Sequence, residues 1–293
     1  VSDDWFRRHV IKKQLRSQAA LRRVLDNNIL PAWSGRDFES IRRSDVAKLL
    51  DSIEDNKGSV AADKALAVIG GISSWYNARH EDYVNPIVRG MRRSNPKERA
   101  RDRILSDDEL KAVWRRAEAN DTFGAIVRIL LLTAQRLDKV ASMKWVDVSI
   151  DGAWTIATES REKGNAGVLV LPEMASAIIR TLPRFESNPY VFAGRGESHY
   201  NSFGRGKSEF DSKLNIQHWT LHDLRRTARS LMSRAGVRPD VAERVLGHSM
   251  NGVEGIYDRH QYREEKARAL ELLAGLIENI LKTEGRENSE PRY

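Results

Sequence analysis

Tyr257, in GIYDRH, is preceded along the chain by a series of basic side chains. Arg136 lies in LLLTAQRLDKV, Lys163 in ESREKGNAGVLVLP, His222 and Arg225 in LHDLRRT, and His248 in VLGHS. A nucleophile among cations is what phosphoryl transfer through a protein–phosphate ester requires. Two guanidinium groups neutralise and orient a phosphodiester, a lysine or histidine moves protons, and a tyrosine oxygen attacks phosphorus. Taken singly, each residue has an ordinary alternative. A His-x-x-Arg pair shares one face of a helix and is common on surfaces. Arg136 directly follows the apolar stretch FGAIVRILLLTAQ. An uncompensated guanidinium is costly there, so either a bound phosphate or an internal salt bridge should answer it. His222, Asp223 and His248 could be imagined as metal ligands. No compact ligand motif such as H-E-x-x-H is present, however, and the arginines would repel a divalent cation. Neither metal nor cofactor is expected.

The elements that must hold these residues read as mainly helical. SDVAKLLDSIEDN places Val46, Leu49, Leu50 and Ile53 at helical spacing behind a Ser44 cap, and SVAADKALAVIGGISSWYNARH repeats the pattern. A helical domain is therefore expected over 1–90. NPIVRGMRRSNPKERARDRI, with prolines, a glycine and many arginines, reads as a linker over 91–104. It is either a solvated connector or a basic strap in which Arg92, Arg93, Arg99 and Arg101 meet a phosphate backbone. A second domain is expected over 105–282. It opens with a capping box at Ser106–Glu109 and continues with FGAIVRILLLTAQ as a buried central helix. WVDVSI, AWTIATES and GVLVLP, with turns at Asp151-Gly152 and Gly164-Asn165, predict a small three-stranded antiparallel sheet. Helices return through LHDLRRTARSLMSRAG and through RPDVAERVLG, with Pro239 in its first turn and Gly247 as its C-cap. A final amphipathic helix from Tyr262 to Leu281 would pack on its own domain or dock on a neighbour. Residues 283–293 read as a flexible tail.

Composition narrows the function classes. Lysine and arginine number 49 against 41 aspartates and glutamates, a net charge of +8. That balance favours a polyanionic partner, nucleic acid first. No apolar run approaches the roughly 20 residues of a spanning helix, so no membrane partner is expected. The absence of cysteine excludes disulfides, zinc thiolates and thiol nucleophiles, and it fits a cytoplasmic protein. The chain starts with Val1 rather than Met, which leads to the expectation that its natural N terminus is missing.

The order Arg136, Lys163, His222-x-x-Arg225, Leu246-Gly247-His248 and Tyr257, nine residues after that histidine, resembles the tyrosine recombinase (phage integrase) family. The resemblance spans essentially the whole chain, because the family places a helical core-binding domain before its catalytic domain. LHDLRRTARSLMSRAGVRPDVAERVLGHSMNGVEGIYDRH is especially similar to integrases of prophages and genomic islands. Many of those carry an additional N-terminal arm-binding domain, which is not expected here. The resemblance implies a site-specific DNA recombinase of a mobile element, working through a 3′-phosphotyrosine intermediate. Arg136 and Arg225 would clamp the scissile phosphate, Tyr257 would attack, and Lys163 would protonate the leaving 5′-oxygen. His222 would accept or position the tyrosine proton, and His248 would hydrogen-bond the phosphate. Tyr262 competes for the nucleophile's role, but Tyr257 has the family's spacing. The implied partners are double-stranded DNA attachment sites, other protomers in a synaptic tetramer, and accessory DNA-bending proteins. Two positions depart from the pattern: Ala134 stands where the family often has glycine, and Lys139 where an acidic residue is usual. A type IB topoisomerase shares the chemistry, and a non-catalytic DNA-binding regulator is the alternative from another class.

Overall fold

The computed structural model describes residues 1–95, 98, 101–118, 121–158, 164–248 and 262–283. Two compact units meet in sequence between Arg101 and Asp102, inside the stretch expected as a linker.

The first unit is helical, with short helices α1 (Ser2–Trp5), α2 (Gln18–Val24) and α3 (Leu30–Trp33) and longer helices α4 (Arg43–Lys57) and α5 (Ser59–Asn77). Val46, Leu49, Leu50 and Ile53 of α4 face Ala62, Ala65, Ile69 and Ile72 of α5 in one core, as their spacing requires. The cap of α4 differs from expectation. Ser44 lies inside the first turn, and the helix starts after Arg42, whose N–H donates to Asp45 Oδ2 at 2.8 Å. A carboxylate is the stronger acceptor and also complements the helix dipole. Residues 91–94, expected to open the linker, are bound to this unit. The backbone N–H groups of Arg93 and Ser94 donate to Asp63 at 2.7 and 3.2 Å. The Arg93 guanidinium meets Asp51 and lies 3.7 Å from Glu54, while Arg92 lies 3.6 Å from Asp63.

The second unit is built around α7 (Thr122–Thr133), buried nearly all round, with α6 (Asp107–Ala117) packed against it. The capping box of α6 forms as expected: Ser106 Oγ accepts from Glu109 N, and Glu109 Oε2 accepts from Ser106 N. A short helix α8 (Leu137–Ala141) follows α7, and β1 (Ala153–Thr155) pairs antiparallel with β2 (Val168–Val170), Trp154 opposite Leu169. Helices α9 (Glu173–Arg180), α10 (Phe203–Asp211), α11 (Leu221–Arg234), α12 (Pro239–Leu246) and α13 (Arg263–Lys282) complete it.

Among the described residues the sheet has two strands, not the three expected. The stretch read as the first strand instead makes a 3₁₀ turn over Trp145–Asp147 and touches the sheet through one bridge, Val148 to Trp154. Val146 and Ile150 are 83% and 109% exposed, so these β-branched residues bury nothing against a sheet face. A tight turn then takes over the hydrogen bonding, with Ser149 N donating to Ala153 O and Gly152 N to Ser149 O.

The end of α12 fixes a second approach. Gly247 caps it in the left-handed region at φ +67°, and a Cβ there would stand 2.5 Å from Ala166 N. Glycine is required on both counts. The segment after Lys163 is thereby pressed against the Leu246-Gly247-His248 turn.

Helix α13 packs within its own unit. Its buried side chains include Leu270, Leu273, Ile277 and Ile280, against α11, α12 and β2. Each such burial contributes about 1.5–3 kcal/mol. Four together match a domain's whole net stability of roughly 5–15 kcal/mol. Deleting the chain from Ala267 onward should therefore abolish the cooperative thermal transition of the second unit. A truncated protein that melts cooperatively near the intact temperature would contradict this packing.

Candidate active site

Four of the residues singled out in the sequence line one pocket of about 360 Å³: Arg136, His222, Arg225 and His248, together with Arg226, Arg229, Ser230 and Leu246. Lys163 and Tyr257 lie outside the described residues, as does Arg99 of the basic stretch.

Arg225 is the centre of the pocket. Its position on α11 puts it four residues before Arg229 and three after His222, so all three project from one face. The side chain is 5% exposed, yet among the described residues it bonds no carboxylate. Nη1 donates to Ala134 O at 2.7 Å, and Nη2 donates to Leu246 O and to His248 Nε2, both at 2.9 Å. The two carbonyls belong to the C-terminal ends of α7 and α12, where helix dipoles are negative. Burial, and then the nearby Arg136 charge, push the Arg225 guanidinium down to about 10, still well above neutral pH. The group therefore stays cationic while held by two peptide carbonyls and a histidine nitrogen.

Those carbonyls are aimed by unusual local backbone. Ala134 caps α7 in the left-handed region, φ +54° and ψ 22°, and is fully buried. A non-glycine residue there costs about 1–2 kcal/mol. The turn points Ala134 O at Arg225 and leads the chain into Arg136, the N-cap of α8. Gln135, between them, is 3% exposed and donates Nε2 to Val245 O at 2.6 Å, tying the end of α7 to the last turn of α12. Arg136 is half-buried and donates Nη1 to Gly164 O at 3.2 Å, next to Lys163 in sequence.

His222 stands exposed at the pocket rim, and none of the described residues hydrogen-bonds its ring. Partial desolvation, then the charges of Arg226 and Arg225, hold its pKa below the ordinary imidazole value, so the ring is neutral at neutral pH. Asp223 has a structural post. Its Oδ2 accepts from Thr220 N at 2.8 Å, capping α11, and its Oδ1 accepts from Arg226 at 2.5 Å. Among the described residues no group of three His, Asp or Glu side chains could hold a metal ion.

Several supporting residues gave no signal in the sequence. Lys139, in the family's acidic position, is buried and donates Nζ to Ala157 O at 2.7 Å, bracing the chain that leads out of β1. Asn165 donates Nδ2 to Ile156 O and Ala157 O, both at 3.1 Å, across the same hairpin. Lys266 of α13 is 4% exposed, and its Nζ donates to Ala166 O. Desolvation, then Arg244, lowers its pKa. Three basic side chains thus grip the chain between β1 and β2 by its carbonyls: Arg136 on Gly164, Lys139 on Ala157 and Lys266 on Ala166. Glu243 accepts from Arg229 Nε at 2.9 Å and lies 2.5 Å from His248 Nδ1. Lysines on backbone carbonyls, and a glutamate five residues before a histidine, look like ordinary helix-surface charges until the tertiary contacts are seen. Tyr262, the competing tyrosine, lies under the Arg244 guanidinium, 3.8 Å from its ring centroid.

Comparison with known proteins agrees with this architecture. Residues 103–264 match the phage integrase family profile. The integrase of Shigella phage Sf6 is 23% identical over 277 residues, covering 88% of this chain and 69% of the relative. Lambda integrase (75–356), solved as a dimer bound to a COC′ core site, shares the fold with a TM-score of 0.67 at 16% identity, over 88% of this chain and 98% of that one. A lambda integrase tetramer bound to a Holliday junction superposes with a TM-score of 0.65 at 16% identity, covering 88% of this chain and 79% of that one. With the family profile spanning more than half of its length, the chain belongs to the phage integrase family and is a tyrosine-type site-specific DNA recombinase.

Proposed function

We propose that the pocket of Arg136, His222, Arg225 and His248 takes the scissile phosphate of a double-stranded DNA attachment site, and that Tyr257 cuts it. The observation that carries this reading is the Arg225 guanidinium, buried, cationic and bonded only to neutral acceptors. Arg136 and Arg225 hold the non-bridging oxygens and stabilise the charge of the pentavalent transition state. The Tyr257 oxygen forms its bond to phosphorus while the bond from phosphorus to the 5′-oxygen breaks. The tyrosine proton passes toward His222, and Lys163 gives a proton to the departing 5′-oxygen. The products are a 3′-phosphotyrosyl ester and a free 5′-hydroxyl. The ester conserves the bond, so attack by a 5′-hydroxyl of another strand runs the same steps in reverse without ATP.

Partners follow from the same reading. Strand exchange needs protomers paired across two DNA sites, and the similar lambda integrase has been captured on a Holliday junction as a tetramer. A synaptic tetramer on DNA, accessory DNA-bending proteins, a cytoplasmic location and integration or excision of a mobile element complete the proposal. No described helix is long and apolar enough to cross a membrane. Arg92, Arg93, Arg99 and Arg101 would meet the DNA backbone. Arg93 would first exchange its contact with Asp51.

The chemistry is testable directly. Tyr257→Phe should leave folding and DNA affinity nearly unchanged and abolish the covalent protein–DNA adduct seen on denaturing gels. Lys163→Ala should slow cleavage by about 10²–10⁴-fold on ordinary DNA. A 5′-bridging sulfur at the scissile phosphate should restore most of that rate, because a thiolate leaves without a proton. Adduct formation by Tyr257→Phe, or no sulfur rescue, would refute the assignments.

The depressed pKa of His222 gives a second test. A proton acceptor must be neutral, so the acid limb of single-turnover cleavage should be centred below about pH 6.5, the ordinary histidine value. His222→Gln should lower the plateau on the order of 10²-fold and remove that acid limb. An acid limb centred above pH 6.5, or one unchanged in His222→Gln, would exclude His222 as the acceptor.

A further inference from the structure

We propose that the segment 103–107 is a splint for helix α11, and that Thr227, which joins the two, is a positioning residue for DNA cleavage. The inference rests on the functional reading above and deepens it. Thr227 is 1% exposed and lies outside the pocket, so it acts by setting where Arg225 and His222 stand.

Helix α11 uses three sides. His222, Arg225, Arg226 and Arg229 line the pocket, while Leu224, Ala228 and Leu231 pack in the core. Asp223, Thr227 and Arg234 stand at i, i+4 and i+11, a further stripe along the helix. The segment 103–107 is fastened to α11 and its approach at three points. Arg103 Nη2 donates to Glu109 Oε1 at 2.5 Å and to Gln217 O at 3.4 Å, ahead of the first turn of α11. Leu105 N donates to Thr227 Oγ1 at 2.9 Å, with both residues buried. At the far end, Arg234 Nη1 and Nη2 donate to the two oxygens of Asp107 at 2.6 and 2.8 Å. Contacts at 103, 105 and 107 thus meet 217, 227 and 234 in the same order, and the segment runs alongside the helix.

The middle contact is the one that fixes the helix. The Thr227 hydroxyl has one hydrogen, which it donates to Asp223 O at 2.8 Å, one turn back, and its lone pair accepts from Leu105 N. A buried N–H without a partner is costly, so α11 cannot slide or turn against the segment without breaking this bond. The Asp107–Arg234 pair, with side chains 42% and 51% exposed, is a weaker restraint. The splint is itself held stiff, because Glu109 uses one oxygen to cap α6 through Ser106 N and the other to hold Arg103. Thr227 follows Arg225 by two residues, about 3 Å along the helix axis and on a side turned away from the pocket. An axial shift of α11 would therefore carry Arg225 directly off its bonds to Ala134 O and Leu246 O. A displacement of about 1 Å at a reacting centre costs on the order of 10²-fold in rate.

The plain alternative is that Thr227 only adds stability. Thr227→Val keeps the shape of the side chain and loses the hydroxyl; Thr227→Ser keeps the hydroxyl and loses the methyl group. Single-turnover cleavage of a DNA substrate, with the protein in saturating excess, separates the accounts. Lost stability reduces the amount of active protein, and so the amplitude of the covalent adduct, but leaves the rate constant alone. A misplaced α11 lowers the rate constant itself. Thr227→Val should slow the rate constant on the order of 10-fold at full amplitude. The DNA dissociation constant should stay within about twofold, since the phosphate-binding cations remain. Thr227→Ser should recover most of the rate. An unchanged rate constant in Thr227→Val, or an equal loss in Thr227→Ser, would overturn the proposal. If Thr227→Val does not fold, Arg103→Met decides, because it loosens the other end of the splint without leaving Leu105 N unpaired. It should slow the rate constant severalfold at full amplitude, and a wild-type rate constant there would overturn the proposal. Absence of a covalent adduct from wild-type protein would instead overturn the functional reading, and the two failures are distinct.

Discussion

The structure depends on keeping one buried guanidinium charged without giving it an anion. Arg225 is removed from water, and a carboxylate against it would be the ordinary remedy. The protein supplies instead the terminal carbonyls of two helices and a histidine nitrogen, each a neutral acceptor. Peptide dipoles offset part of the desolvation cost while leaving the net charge in place. Burial and the nearby Arg136 depress the pKa only to about 10, so the charge survives. A phosphodiester entering the pocket would then find a cation whose own hydration has already been stripped away, in surroundings where electrostatic attraction is strong.

Much of the second unit can be read as the means of holding those acceptors in register. Helix α7 must run through the core to end where Ala134 O is wanted, and the left-handed turn at Ala134 aims it. Helix α12 must end at Leu246, and Gly247 stops it and lets the chain at Asn165 and Ala166 approach its cap. Gln135 links the two ends through Val245 O, so they move together. The chain between β1 and β2 is gripped by Arg136, Lys139 and Lys266 through the carbonyls of Gly164, Ala157 and Ala166, which connects it to α8 and to α13. Substituting lysine for an acidic residue at 139 therefore leaves a support in place, aimed at a peptide oxygen.

Local signals were the legible part. The Ser106–Glu109 capping box, the all-round apolar α7, Pro239 and Gly247 at the ends of α12, and the shared face of His222 and Arg225 all follow from spacings of a few residues. Local propensity also misled twice. Ser44 lost the α4 cap to a carboxylate one residue further along. The stretch 145–150 formed a turn that packs Trp145 and Val148 on the core and leaves Val146 and Ile150 exposed. The supports of Arg225 were not legible, because they join residues 91 and 110 positions apart in sequence. Only the resemblance of the whole residue series, not any single spacing, pointed to Lys163 and Tyr257.

The account is tested most directly by whether the pocket is an anion site before any DNA arrives. Thermal melting of the protein without DNA should be followed against inorganic phosphate, with chloride at matched ionic strength as the control. A cation held ready for phosphate predicts a melting temperature that rises with phosphate concentration in the wild type. In Arg136→Gln, which leaves the Arg225 hydrogen bonds intact, that rise should be much smaller. Equal phosphate stabilisation of both proteins, or none beyond the chloride control in the wild type, would contradict it.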